Sequence, residues 1–176
     1  QMEMLRERIK GLERKIVEMI RHGQENVAIA DRLHHWTRTI LLTHSARLLP
    51  AALVDELQRQ FLIPQAALRL WTLADAYRDE PFAAPVSGDV RTFAGSLSVP
   101  YCGLNAGFEA TGWLDSPGAV ASMAMIPLHD GRRDEAFGLL VLGSPDPTRY
   151  AADMGTEFLA RIGDVAGAAL SRLREA

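Results

Sequence analysis

Apolar side chains recur at alternating intervals of three and four residues along the first 40 positions of the chain. This spacing is that of the a and d positions of a heptad repeat, and it predicts one long helix that packs against another helix. The repeat weakens near its middle, because Gly23 leaves a hole and Asn26 places a polar amide at a core position. The seam runs through Met2, Leu5, Ile9, Leu12, Ile16, Met19, Gly23, Asn26, Ala30, Leu33, Thr37 and Ile40.

A stripe this narrow needs a partner that covers it, because a lone helix would leave it in water. Two partners fit the pattern: the same helix of a second copy, or the remainder of the same chain. We favour the second copy, so a homodimer is expected, with residues 1–44 as the dimerising helix. Its pairing residues are predicted to be Leu5, Ile9, Leu12, Ile16, Met19, Asn26, Leu33 and Ile40.

The rest of the chain, residues 45–176, alternates between helical and strand patterns. Strands are indicated by apolar residues at every second position, and helices by apolar residues three or four apart. The turn at Asp130-Gly131 joins two strands as a hairpin, which makes the sheet antiparallel. The predicted elements are a helix over Leu48–Pro64, strands over Gln65–Leu73, Ser98–Cys102, Val120–Leu128 and Glu135–Ser144, and a closing helix from near Asp153 to Arg174.

These elements predict an α+β domain over residues 45–176, in which helices flank an antiparallel sheet. The helices at the two ends of the chain are expected to share one face of the sheet. Residues 74–119, which we call the middle segment, are rich in Gly, Pro, Ser and Ala. The middle segment is left to cover the other face, and a ligand cavity is expected beneath it.

Composition narrows the class of protein. Of the 176 residues, 48% are hydrophobic and 23% are charged, which is typical of a folded domain. The net charge of −3 shows no basic excess, so any contact with nucleic acid would have to be local, and none is expected. The chain contains no stretch of about 20 apolar residues, the length that a membrane-spanning helix needs, and no apolar signal region is visible near the N-terminus. Cys102 is the single cysteine, so no internal disulfide can form, and a cytoplasmic location is expected.

Five stretches of the sequence resemble one bacterial family. They are LRERIKGLERKI near the start, ALRLW in the first strand, PYCG in the middle segment, and FGLLVLGSPDPTRY and MGTEFLARIG near the end. The family is Domain of Unknown Function 484 (DUF484), in which a heptad-bearing helix precedes a GAF-like domain. The resemblance implies the GAF fold, an antiparallel-sheet relative of the PAS domain. GAF relatives bind cyclic nucleotides, tetrapyrroles or small metabolites, or hold dimers together, and no motif specific to one of those ligands is visible here.

Six residues are candidates for contact with a small molecule in the cavity. Arg69 interrupts an apolar strand, and its guanidinium could bind a carboxylate or phosphate; the alternatives are an acidic partner or a solvated tip. Met123 and Met125 share one strand face, where they either line an adaptable pocket or belong to the core. The candidates are Arg69, Trp71, Tyr101, Cys102, Met123 and Met125.

Patterns for catalysis and metal binding are weak. Cys102 could be a nucleophile, a redox sensor or an anchor for a tetrapyrrole, and the alternative is a small buried side chain. A nucleophilic role requires a base near the thiol in the fold. His34 and His35 are adjacent, so they lack the spacing of four residues that lets two imidazoles share a metal. No paired carboxylates or triad are indicated. We therefore expect no metal site and no catalysis, and the identity of any cofactor stays open.

The leading functional hypothesis is a dimeric sensory or regulatory module. A small molecule in the cavity would act by favouring one arrangement of the paired helices over another. The alternative is a ligand-free scaffold that recruits a protein partner; the family resemblance implies a DNA-processing partner, because relatives tend to be encoded beside a tyrosine recombinase. A third hypothesis is a thiol-dependent enzyme or redox sensor at Cys102.

Overall fold

The computed structural model describes residues 1–131, 135–152 and 156–175. The chain divides into two compact units, Gln1–His35 and Trp36–Ala176. Helix α1 begins in the first unit, and its last residues belong to the second. The helices are α1, Met2–Leu42; α2, Leu49–Phe61; α3, Gly88–Ser96; and α4, Glu157–Leu170.

The first unit is helical from residue 2 to residue 35. Strong helix formers such as Glu, Arg, Lys and Leu fill most of its first half, which explains why the helix is continuous. Its apolar stripe is open to solvent: the side chains of Leu5, Ile9, Leu12 and Ile16 are 55–58% exposed. We call the first six positions of the repeat the N-terminal seam, which comprises Met2, Leu5, Ile9, Leu12, Ile16 and Met19.

The second unit is built on a four-stranded sheet with the strand order β1-β4-β3-β2. Every neighbouring pair of strands is antiparallel, which confirms the predicted α+β architecture. The strands are β1, Gln65–Leu70; β2, Tyr101–Leu104; β3, Ser122–Leu128; and β4, Gly138–Ser144.

Strands β3 and β4 lie at the centre of the sheet and are buried along their whole length. Their sequences are apolar at successive positions, and such strands must be covered on both faces. Helix α4 packs on β3 and helix α2 packs on β1. The opposite face is covered by the middle segment, through side chains of α3 and of residues 108–114.

The last part of α1 packs inside the second unit. Trp36 and Ile40 are almost fully buried there. The indole Nε1 of Trp36 donates a hydrogen bond of 2.9 Å to the carbonyl oxygen of Leu53 in α2. The second unit therefore begins within the segment that the heptad pattern assigns to pairing. Because the domain itself covers Ile40, this residue is left out of the pairing surface proposed below.

Strand β1 ends at Leu70, three residues before the predicted end. The peptide N–H of Trp71 still donates to the carbonyl of Phe137 at 2.8 Å. Thr72 then adopts a φ of 60°, in the left-handed region that β-branched residues rarely occupy. This backbone conformation turns the chain out of the sheet.

Other elements also differ from their predicted bounds, and β2 and the closing helix are two of them. Strand β2 begins at Tyr101 and not at Ser98, because Pro100 has no N–H to donate to a strand ladder. The described part of the closing helix begins at Glu157. Its predicted start near Asp153 falls among residues 153–155, which lie outside the described residues.

Candidate functional site

The register of the sheet determines which candidate residues meet. Residues paired directly across two strands lie on the same face, as do residues two apart along a strand. Arg69 pairs with Leu139, and Met125 pairs with both Val141 and Tyr101. Five of the six predicted ligand residues therefore share what we call the site face: Arg69, Trp71, Tyr101, Met123 and Met125.

The site face is filled where it crosses β3. Met123 and Met125 are fully buried. They pack in one cluster with Val90 and Ala94 of α3 and with Ala110. The two methionines thus belong to the core, one of the two alternatives that the sequence leaves open.

Three aromatic rings close the site face beside β2. Phe93, Tyr101 and Phe108 contact one another with ring centroids 5.2–6.4 Å apart, in tilted or edge-to-face arrangements. Such arrangements are favourable because the positive edge of one ring meets the negative face of the next. Tyr101 is therefore a packing residue between α3 and the loop that follows β2.

Arg69 lies half-buried on the site face. Its guanidinium carbon is 5.3 Å from the ring centroid of Trp113, within the range of a cation–π contact. Within the described residues it forms no ion pair. The structure thus gives Arg69 an aromatic partner, which differs from both the acidic partner and the solvated tip.

Open space on this face lies at its margin, around Trp71. Two clefts of about 360 Å³ each meet there, and Trp71, Thr72 and Arg91 line both. This volume is of the order that small-molecule sites occupy. We call this region the Trp71 cleft and define it by Trp71, Thr72 and Arg91.

The base of the Trp71 cleft is held in place by hydrogen bonds. The Trp71 side chain is buried, and its Nε1 donates to the carbonyl of Ala136 at 2.9 Å. Helix α3 brings the guanidinium of Arg91 to 5.9 Å from the centroid of the Trp71 ring. The oxygen of Ser87 caps this helix by accepting from the N–H of Val90. The cleft therefore combines an anchored indole with a cation on a capped helix.

The C-terminal residues form one side of the Trp71 cleft. The N–H of Glu175 donates to the carbonyl of Thr72 at 3.2 Å. Arg174 pairs with Asp130, and both side chains are about nine-tenths buried. The Arg174 guanidinium also lies 5.0 Å from the ring centroid of Phe137. These contacts hold the end of the described chain against the strained residue Thr72.

Charged side chains of both signs lie around the cleft, and only some of the arginines among them form ion pairs. Arg78 pairs with Asp75, and Arg174 pairs with Asp130. Arg91 has no ion-pair partner within the part of the chain that the structure describes. Arg91 is therefore the cation of this region that is best placed to bind an anionic group.

Cys102 lies apart from the other candidates. It pairs with Ala124 and is on the opposite face of the sheet from Tyr101. Its side chain is buried, and burial raises the pKa of the thiol. A raised pKa keeps the sulfur protonated near neutral pH, and the protonated thiol is a poor nucleophile. Cys102 is therefore left out of the site proposed below.

The sequence matches the model of a family described as protein of unknown function, DUF484, over residues 1–175. The chain belongs to the DUF484 family. No curated protein matches it. The resemblance drawn from its five sequence stretches is thus confirmed.

Several solved structures similar to this DUF484 chain are GAF domains. A GAF domain of A. aeolicus in an inactive state has a TM-score of 0.57 at 10% identity and covers 84% of this chain and 98% of its own. The GAF domain of the potassium sensor histidine kinase KdpD from Escherichia coli has a TM-score of 0.52 at 17% identity, covering 82% and 94%. These similarities confirm that the DUF484 chain has a GAF-like fold.

One similar structure belongs to an enzyme. Free methionine-R-sulfoxide reductase from Neisseria meningitidis, in complex with its substrate, has a TM-score of 0.51 at 14% identity and covers 81% of this chain and 88% of its own. At this identity the likeness extends to the fold alone. Within the described residues of the DUF484 chain, no group of three or more His, Cys, Asp or Glu side chains is placed to hold a metal ion.

The sequence patterns did not identify Thr72 and Arg91. Ser87 is a helix-capping residue type, and it could have located α3 and hence Arg91. No local sequence pattern indicates the left-handed backbone of Thr72, since Thr is common in strands.

The described helices include none that is long and apolar enough to span a membrane.

Proposed function

We propose that this DUF484 protein is a dimeric regulatory module of the GAF type, which is joined to its partner copy through the helix of its first unit. One observation carries the proposal: the six apolar side chains of the N-terminal seam, spaced by three and four residues, are all at least 55% exposed. Apolar surface of this kind is stabilised by burial, and the heptad spacing suits burial against a second helix.

The pairing helix of the first unit and the GAF-like second unit together support a regulatory role. A ligand or partner that binds one arrangement of the paired helices better than another would shift the population toward that arrangement. Gly23 and Asn26 interrupt the apolar repeat and are the positions where two arrangements would differ least in energy. The module acts without catalysis in this proposal, and its setting is the cytoplasm, with no direct contact to nucleic acid or membrane.

The oligomeric state tests this proposal. The double variant Leu5→Ser/Leu12→Ser removes two seam side chains and is expected to shift the protein from dimer to monomer. Light scattering during size-exclusion chromatography measures the change, from twice the mass of the 19.3 kDa chain to that of one chain.

The chain offers a matched control for the seam variant. Met4 and Val17 are apolar and 70% and 65% exposed, but both lie off the seam. Met4→Ser/Val17→Ser therefore removes exposed apolar surface from the same helix and is expected to leave the dimer intact. A wild-type protein that is monomeric at micromolar concentration would contradict the proposal, and so would a control that dissociates as readily as the seam variant.

The Trp71 cleft is the ligand site in this proposal. Its indole offers an apolar surface, and Arg91 offers a guanidinium for a carboxylate or phosphate. The expected ligand is a small planar or apolar molecule that carries one anionic group. The ligand would contact both the end of β1 and helix α3, which are the elements around the strained Thr72.

A second function is supported by the packing of the site face. Met123, Met125 and the three aromatic rings fill the region where the sequence predicts a cavity. A filled face is consistent with a ligand-free scaffold that recruits a protein partner through its surface. A DNA-processing protein remains the partner class that the family resemblance suggests.

Native mass spectrometry of the purified protein separates these two functions. For a ligand-binding module we expect a non-covalent adduct on the wild-type dimer that is lost in Arg91→Ala. The control is Arg161→Ala, which removes a guanidinium from an exposed ion pair on α4 and is expected to keep the adduct. A dimer without adduct favours the scaffold, and added mass that persists on denaturation points to covalent chemistry at Cys102.

A further inference from the structure

Charged residues flank the N-terminal seam, and the direction of the partner helix decides which of them face each other. With Ile9 and Ile16 at a positions and Leu5 and Leu12 at d positions, Arg8 lies at a g position and Glu13 at an e position. These flanking positions set partner choice and orientation in coiled coils. All of these side chains are exposed on the helix.

In a parallel pair in register, each g residue faces the e residue five positions later in the other chain. Arg8 of one copy then faces Glu13 of the other, and the two-fold symmetry of the dimer makes this attraction twice. The next such contact joins Lys15 to Ile20, where the lysine stem can cover an apolar side chain. No like charges meet in this arrangement over residues 2–20.

In an antiparallel pair, g residues face g residues and e residues face e residues. With Leu5 of one copy opposite Ile16 of the other, Arg8 faces Lys15, which is repulsive. Arg6 faces Glu13 in the same arrangement, so attraction and repulsion offset each other. The charge pattern therefore favours the parallel arrangement.

The residue types along the seam also favour the parallel arrangement. β-branched Ile at a positions together with Leu at d positions is the combination that favours parallel two-stranded coiled coils. Ile9, Leu12 and Ile16 follow this order, preceded by Leu5. Two independent features of the helix, its core residue types and its flanking charges, therefore select one orientation.

We propose that the partner of the N-terminal seam is a second copy of this chain, parallel and in register over residues 2–20, with Arg8 of each copy paired to Glu13 of the other. This inference rests on the proposed dimeric function and adds the orientation. A parallel pair places the two Trp36 positions, where the second units begin, at the same end of the coiled coil.

Charge reversal tests the orientation. In a parallel dimer Arg8→Glu places two acidic side chains opposite each other, so we expect the dimer dissociation constant to rise on the order of tenfold. The double variant Arg8→Glu/Glu13→Arg restores opposite charges and is expected to recover most of the affinity. In an antiparallel dimer the single variant would instead strengthen association, because the introduced carboxylate would then face Lys15.

Disulfide cross-linking gives a second measurement that does not depend on charge. In a Cys102→Ser background, Leu5→Cys is expected to form a dimer linked between identical positions on mild oxidation. A mixture of Leu5→Cys and Ile16→Cys chains is the control, since an antiparallel dimer would link those two variants to each other. A dimer by light scattering that links only the mixed pair would overturn the orientation and leave the proposed dimer intact, whereas a monomeric wild-type protein would overturn both.

Discussion

The variant Trp36→Ala is expected to lower the free energy of unfolding by about 3–5 kcal/mol, the range for truncation of a large buried aromatic residue. Trp36 has no exposed surface and packs in the second unit together with Ile40 and helix α2. Removal of the indole leaves a cavity that rigid helices can only partly collapse. Urea denaturation at one protein concentration measures the loss, since the proposed dimerisation would make stability depend on concentration.

Two further variants separate the causes of this loss. Trp36→Phe keeps an aromatic side chain but removes the hydrogen bond to the carbonyl of Leu53, which should cost about 1 kcal/mol beyond the change in volume. Arg38→Ala alters an exposed side chain in the same turn of α1 and is expected to stay within about 0.5 kcal/mol of wild type. A Trp36→Ala protein as stable as Arg38→Ala would show that the end of α1 is not part of the domain core.

The sheet could be predicted because its two central strands must be buried on both faces. Val120–Leu128 and Glu135–Ser144 are apolar at nearly every position, and the hairpin turn at Asp130-Gly131 joins them antiparallel. The observed strands β3 and β4 lie within those two predicted ranges. The end of β1 was not predictable, because it depends on the backbone of Thr72 and on the C-terminal residues that pack against it.

The heptad pattern shows where helix α1 is apolar but not what covers each position. Leu12 and Ile40 occupy equivalent places in the repeat, yet Leu12 is 58% exposed and Ile40 is 2% exposed. Periodicity depends only on the chain's own residues, whereas burial depends on elements that are distant in sequence, such as α2. The structure was therefore needed to show that the domain core covers Ile40 and leaves Leu12 exposed.

The candidate site was predicted in part for a similar reason. Alternation along a strand places Arg69 and Trp71 on one face, and it also shows that the neighbours Tyr101 and Cys102 cannot share one. The register that brings β1 and β2 to the same central strands is set by long-range pairing and is not visible in the sequence. Arg91 joins the site only because α3 folds over the end of β1.

The variant Gly167→Ala is expected to destabilise the second unit by about 3 kcal/mol, at the upper end of the usual cost of overpacking. The added Cβ would overlap the carbonyl oxygen of His129, a backbone atom that cannot rotate away. Helix α4 passes this close to the end of β3 because its GDVAG stretch carries glycine at both Gly163 and Gly167. A graded series tests the explanation by urea denaturation. The Cβ of Gly163→Ala would crowd a methyl group of Ile126, at 2.7 Å, while the carbonyl oxygen of Pro127 lies at an ordinary contact distance of 3.5 Å, so this variant should cost less. Gly95→Ala in α3 meets no atom within 4 Å and should be neutral or stabilising by about 0.5–1 kcal/mol, so equal effects at all three positions would exclude a close approach of α4 to the sheet.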